Sequence, residues 1–246
     1  MTGDAIALCY HAVSDGWPSP LAVRPEDLER QLLGFLKRGY TPVTFGELAR
    51  YDGQARRRLA ITFDDAFASV YAAAPLLDRL GAPATVFVPT TYVTHATSLA
   101  WPSNDRWCDT PWEDELRPMS WEQVSDLSRR GWEVGSHTRS PLHLTSHSDV
   151  ELAEELAGSR QECAERSGAP CETLAYPYGD YDLRVSATAR RAGYMWTASV
   201  PSRLSDRHPH GSSLEFPRVG VYRDDSPRML RLRFARVTRT LRGFPR

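Results

Sequence analysis

Short apolar segments with strand character alternate with longer segments of helical periodicity along most of the chain, and this alternation restricts the fold more than any other feature. The strand segments fall at residues 5–10, 59–63, 84–88, 132–136, 173–176, 194–199 and 216–221. Between them, Pro25 opens a helix whose Leu28, Leu32, Phe35 and Leu36 share a face and which Gly39 stops. Thr44 and Glu47 have capping-box spacing for a short helix. Further helices read at 66–80, from Ser120 and Gln123 to Gly131, at 149–166 and at 183–192, and a last one carries Leu230, Phe234, Val237 and Leu241 at helical spacing. Strands that alternate with helices form a parallel sheet, and about seven such units close or nearly close a barrel. The expected class is therefore α/β, a distorted (β/α)7 barrel, with residues 1–246 as one domain, because no repeat or linker divides them.

Composition narrows the partners. With 246 residues, 41% hydrophobic and 25% charged, the chain is able to bury one large core. A net charge of -1 provides no global field to attract nucleic acid or a membrane surface. No stretch reaches the length of a membrane span and no leader pattern opens the chain, so the expectation is a cytoplasmic protein without an integral membrane segment. Cys9, Cys108, Cys163 and Cys171 lack paired spacing, which favours reduced thiols over a disulfide framework. One region breaks the strand–helix rhythm: residues at about 91–118 carry Trp101, Trp107, Cys108 and Trp112 without a regular period. An insertion of this kind over strand ends shapes a pocket, which makes Trp107 a candidate substrate contact; a satellite cluster propping a neighbouring helix is the alternative.

Three strand ends carry polar residues that a buried strand does not need. The strand at 59–63 delivers Asp64 and Asp65 side by side where strand gives way to helix. Two adjacent buried carboxylates are costly unless a cation or a shared proton relieves them, so the pair asks for a metal. Capping of the following helix is the plainer alternative. The strand at 132–136 arrives at His137, and the strand at 173–176 runs into Tyr176-Pro177-Tyr178-Gly179-Asp180. On a parallel barrel these ends share one rim.

Thr62-Phe63-Asp64-Asp65, Gly135-Ser136-His137-Thr138 and Tyr176-Pro177-Tyr178-Gly179 resemble, in order and spacing, the first three motifs of the polysaccharide deacetylase family, also called carbohydrate esterase family four. The resemblance spans almost the whole chain, from Tyr10-His11-Ala12-Val13 to Pro217-Arg218-Val219. It implies a barrel of the polysaccharide deacetylase type and a metal-dependent hydrolase that removes an N-acetyl group from an amino sugar or sugar conjugate, a C–N bond other than a peptide bond. It also implies Asp64 as general base, Asp65 and His137 as metal ligands, the backbone N–H of Tyr178 as an oxyanion donor and Tyr176 as a substrate contact. The cofactor so implied is a divalent metal, zinc first, with cobalt, nickel or manganese as alternatives.

The sequence departs from the family pattern at defined positions. Pro141 stands where the family places a second histidine, four residues after His137. His143 would replace it if Pro141 bends the loop, and His11 lies on the same rim; each is equally readable as an ordinary histidine. Ala175 stands where many members carry an arginine that orients the base, Ala66 replaces a common glycine, and no late Leu-x-x-His supplies a general acid. His208, with His210 in the same loop, is the candidate to protonate the leaving amine. Arg218 is a candidate partner for Asp64 and for substrate, with a surface ion pair as the plainer alternative. Two rival functions stay open: an amide hydrolase acting on a non-sugar C–N bond, and a metal-free carbohydrate-binding pseudoenzyme, which Pro141 motivates.

Overall fold

The computed structural model of the chain describes residues 5–50, 57–102, 104–200, 215–230 and 232–233. The strands are β1 (Ala5–Tyr10), β2 (Ala12–Val13), β3 (Ala22–Val23), β4 (Thr41–Val43), β5 (Arg58–Phe63), β6 (Thr85–Val88), β7 (Glu133–Ser136), β8 (Thr173–Ala175), β9 (Trp196–Ser199), β10 (Glu215–Pro217) and β11 (Val219–Gly220). The helices are α1 (Pro25–Leu36), α2 (Phe45–Ala49), α3 (Ala68–Arg79), α4 (Thr90–His95), α5 (Trp121–Arg129), α6 (Asp149–Ser167) and α7 (Leu183–Arg191). The expected capping boxes form at Thr44/Glu47 and Ser120/Gln123, and a further one at Ser148/Glu151 starts α6. No helix among the described residues is long and apolar enough to cross a membrane.

The main sheet runs in the order β10-β9-β8-β7-β6-β5-β1-β11, with parallel pairs throughout, and β4 pairs with β5 beside this path. The strand expected at 216–221 is broken at Arg218 into β10, which joins β9, and β11, which joins β1. At the break, Arg218 N–H donates to Ser199 O at 2.8 Å, and Val221 N–H donates to Cys9 O at 2.9 Å. One kinked strand thus joins both ends of the sheet, and the barrel is nearly closed.

The strands β1, β5, β6, β7, β8 and β9 are buried along nearly their whole length, so alternation of polar and apolar residues is weak in the sequence and packing decides which side faces the axis. Ala7, Ala60, Phe87, Ala175 and Ala198 form a compact inner cluster with Phe45 of α2, whereas Ile6, Leu8, Leu59, Ile61, Val86 and Leu174 belong to the larger cluster that also holds helix residues such as Leu28, Leu77 and Leu156. Small residues suit the crowded interior. Gly135 is required there, because a Cβ on it would stand 2.5 Å from the Phe87 ring and 2.7 Å from Thr173 Oγ1. At the end remote from the aspartates, Glu133 accepts from Gly46 N–H at 2.8 Å and from the hydroxyls of Thr85 and Thr173 at 2.9 Å, so this inward carboxylate is fully engaged.

The region at 91–118 holds α4 and two single turns, Asp105–Trp107 and Glu113–Leu116. Its aromatics pack on the loop after β1: Trp107 lies between Trp17 and Trp112, with ring centroids at 5.8 and 5.6 Å, and Trp112 Nε1–H donates to Gly16 O at 3.0 Å. Residues 227–230 and 232–233 begin the last helix, whose Phe234, Val237 and Leu241 lie outside the described residues.

Candidate active site

A strand's period of two carries each inner column upward into polar residues. On β1 the column Ala7 leads to Cys9 and His11; on β5, Ala60 leads to Thr62 and Asp64; on β7, Glu133 and Gly135 lead to His137. The same positions that fill the barrel below therefore aim functional groups into its mouth. There they line a cleft of about 600 Å³ with Asp65, Pro141, Tyr176, Tyr178 and Arg218, walled by Trp101 and Tyr222.

Asp65 is out of step with its column and reaches the cleft through backbone conformation. It has φ +68° and Ala66 has φ +52°, two successive left-handed residues without the glycine that such angles favour. The turn is held from outside by Met119 N–H, which donates to Ala66 O at 2.8 Å. Thr138, after His137, and Tyr178 are left-handed too, at φ +64° and +58°. Strain of this kind collects at functional sites. Neither aspartate caps the next helix, since the N-cap of α3 is Phe67 and lacks a side-chain bond.

Asp64 and Arg218 form a buried two-point pair, Nη1 to Oδ1 at 2.6 Å and Nη2 to Oδ2 at 2.7 Å. Arg218 is 1% exposed, also donates to Thr62 Oγ1 at 2.8 Å, and lies with its guanidinium carbon 5.1 Å from the centre of the Phe87 ring. The surface ion pair considered from sequence is thus a buried one: Nη1 and Nη2 are engaged by Asp64 and Thr62, while Nε is buried without a hydrogen-bond partner among the described residues and the side chain lines the cleft. Burial alone would push the Asp64 carboxyl up; the Arg218 guanidinium, with His137 and His11, holds it well below the usual carboxylate range.

Asp65 Oδ1 lies 3.4 Å from His137 Nε2, and both residues are buried. His137 Nδ1 is 2.9 Å from Ala175 O, and a proton on Nδ1 for that bond leaves Nε2 as the free nitrogen of the neutral ring, facing Asp65. Burial lowers the proton affinity of this imidazole, but Asp65 and Asp64 raise it above the ordinary histidine value. An imidazole anchored by a carbonyl at its far nitrogen has the orientation of metal-bound histidines, so the pair fits two ligands of a divalent cation.

The expected third ligand is not in place. His143 is carried outward past the turn at Ser140 to Leu142, lies 3.6 Å from Asp180 Oδ2, stacks on Tyr178 at 4.6 Å, and has a side chain 65% exposed. Pro141 lines the cleft where that ligand was expected and has no donor atom. Trp107 is likewise absent from the lining, because the aromatic stack with Trp17 and Trp112 holds it; Trp101 and Asn104 of the same insertion are present. Tyr176 and Tyr178 are in the cleft wall, Tyr176 stacked on Tyr181 at 4.5 Å. His208 and His210 lie outside the described residues. Sequence reasoning missed Cys9, which follows from its position two residues before His11 on one strand face.

A family model described as polysaccharide deacetylase matches residues 52–196. Among solved structures the chain is similar to the Streptococcus pyogenes deacetylase PplD in complex with acetate, at 20% identity and a TM-score of 0.77 over 95% of this chain and 99% of that one. It is similar to IcaB from Ammonifex degensii, at 25% identity and a TM-score of 0.73 over 95% and 98%. A polysaccharide deacetylase from Bacillus cereus shares 21% identity with a TM-score of 0.73, over 93% of this chain and 68% of that one. No curated protein matches the chain.

Proposed function

The chain belongs to the polysaccharide deacetylase family, and from that premise we propose that it is a hydrolase removing an N-acetyl group from an amino sugar or sugar conjugate. The observation that supports this most directly is the placement of an ionised carboxylate, Asp64, beside a carboxylate–imidazole pair, Asp65 and His137, in one cleft. Asp65 and His137 would hold a divalent cation, zinc first with cobalt, nickel or manganese as alternatives, which when bound would supply polarisation of the amide carbonyl and acidification of the attacking water. Asp64 takes the proton of that water. Because Arg218 keeps Asp64 ionised and fixed at both oxygens, the carboxylate is ready as an acceptor at neutral pH and cannot swing away. The weak basicity that goes with this clamp would be offset by acidification of the water at a bound cation.

The backbone N–H of Tyr178 is the assigned oxyanion donor, and the ring of Tyr176 is a sugar contact. His208 remains the candidate to protonate the leaving amine. The cytoplasmic location is part of the same proposal and favours a small or nucleotide- or lipid-linked sugar over an insoluble wall polymer. Protein loaded in turn with zinc, cobalt, nickel and manganese should release acetate from a panel of acetamido sugars, and Asp64→Asn should reduce the rate by roughly 10²- to 10⁴-fold. Equal, background-level release by the wild type and Asp64→Asn overturns the proposal. Pro141 in the cleft wall favours one rival, a metal-free sugar-binding protein. That rival requires sugar binding that survives Asp65→Ala.

A further inference from the structure

A second set of donors stands on the same rim. Cys9 and His11 lie two residues apart at the end of β1 and just beyond it, so the strand period turns both side chains toward the barrel axis. Asp64 follows the neighbouring β5, which is in register with β1 through Tyr10 and Phe63, and its N–H donates to Tyr10 O at 2.9 Å. One ligand atom from each of Cys9, His11 and Asp64 lies within 4.8 Å of the other two. All three residues line the cleft. Nδ1 of His11 is buried and has no hydrogen-bond partner among the described residues. Buried polar atoms are nearly always satisfied, so an unmet one on an imidazole that is grouped with a thiol and a carboxylate points to a bound group. Cys9 has no part in the hydrolysis proposed above, and His11 enters it only through its electrostatic effect on Asp64.

We propose that Cys9, His11 and Asp64 form a cation site for a zinc-class ion, separate from the Asp65–His137 pair. A sulfur, an imidazole nitrogen and a carboxylate oxygen select zinc, cobalt and similar ions over magnesium or calcium. Three protein ligands leave the fourth position of a tetrahedron open to the cleft. On binding, the S–H bond of Cys9 is exchanged for a sulfur–metal bond and the proton leaves to solvent, so one proton is released per ion. Asp64 keeps both bonds to Arg218, because each carboxylate oxygen has a further lone pair. An ion there shares the carboxylate that the hydrolytic proposal uses as its base. The site itself stands whether or not the chain hydrolyses anything.

The test is a titration of the metal-stripped full chain with cobalt(II) alone, followed by near-ultraviolet absorption and by proton release. The expected result is a thiolate-to-cobalt charge-transfer band that saturates with the released proton, is lost in Cys9→Ser, and persists in His137→Ala. His11→Gln should weaken cobalt binding by at least roughly tenfold, the lower end of what even outer partners of a metal site cost. Circular dichroism checks that each variant is folded; if Cys9→Ser is not, His11→Gln, which retains the thiol, decides the matter. The proposal is overturned if folded wild-type protein binds no cobalt, if it binds cobalt without the band, if the band survives in Cys9→Ser, or if it disappears in folded His137→Ala. Acetate release is read separately, so failure of this site leaves the deacetylase proposal intact, and the reverse.

Discussion

Asp64 is closed in a two-point bond to Arg218 at 2.6 and 2.7 Å, whereas Asp65, the next residue, meets His137 Nε2 at 3.4 Å across an open cleft. Asp64 is the natural end of an inward strand column; Asp65 reaches the cleft through a left-handed turn at φ +68°. The closed pair holds its carboxylate ionised and immobile, and the open pair leaves room between ligand and ligand. Two adjacent, chemically identical side chains acquire different uses because one is met by a guanidinium and the other by an imidazole.

Removal of the guanidinium should have the largest effect on this contrast. Arg218→Met leaves Asp64 as a buried unpaired charge and should cost about 3–5 kcal/mol of unfolding free energy in denaturant titrations. Adding Asp64→Asn should restore part of that loss, and a single-variant cost near zero would mean that the pair is not closed at all. On the other side of the comparison, Gly135→Ala puts a Cβ 2.5 Å from the Phe87 ring on the strand that presents His137. Overpacking should destabilise the protein by about 1–3 kcal/mol, and crystallography of the variant should show His137 displaced from Asp65.

The two sides also respond to pH in opposite senses. Asp64 has its folded pKa depressed, so its contribution is present above the unfolded value near 4 and is lost as pH falls through the folded one. His137 has its folded pKa raised, so its contribution is present below the unfolded value near 6.5 and is lost as pH rises through the folded one. Metal-free protein should therefore be most stable at roughly pH 4–6.5 as far as these two groups decide it, each contributing a slope of at most about 1.4 kcal/mol per pH unit. Asp64→Asn should flatten the acid limb of unfolding free energy against pH, and His137→Gln the alkaline limb; unchanged limbs would break the comparison. The smallest effect is expected at the turn itself. Ala66 at φ +52° carries strain of about 1–2 kcal/mol that glycine would relieve, against about 0.5–1 kcal/mol of added chain entropy. Ala66→Gly should raise stability by no more than about 1 kcal/mol in thermal unfolding, and a loss would show that the turn is unstrained.

Local signals survived into the structure where local physics governs them. The capping boxes at Thr44 and Ser120, the start of α1 at Pro25 and the arrival of strands at Asp64, His137 and Tyr176 depend on neighbours within a few residues. Features set by distant parts of the chain were not legible. His143 and Trp107 illustrate this: an outward turn leads one to Asp180 and Tyr178, and aromatic packing against Trp17 and Trp112 holds the other away from the cleft. Nothing near either residue signals these contacts.

The sequence by itself determined a parallel strand–helix barrel, its family and the three motif-bearing strand ends, because periodicity, turn residues and motif spacing are properties of short segments. Only the tertiary structure decided that Arg218 meets Asp64, that Cys9 and His11 stand beside it, and that Pro141 fills a wall of the cleft. Residues 64 and 218 become neighbours because the last strand kinks and joins the two edges of the sheet. Strands buried on both faces carry no alternation to announce which side chains will face the axis, so closure and packing select them.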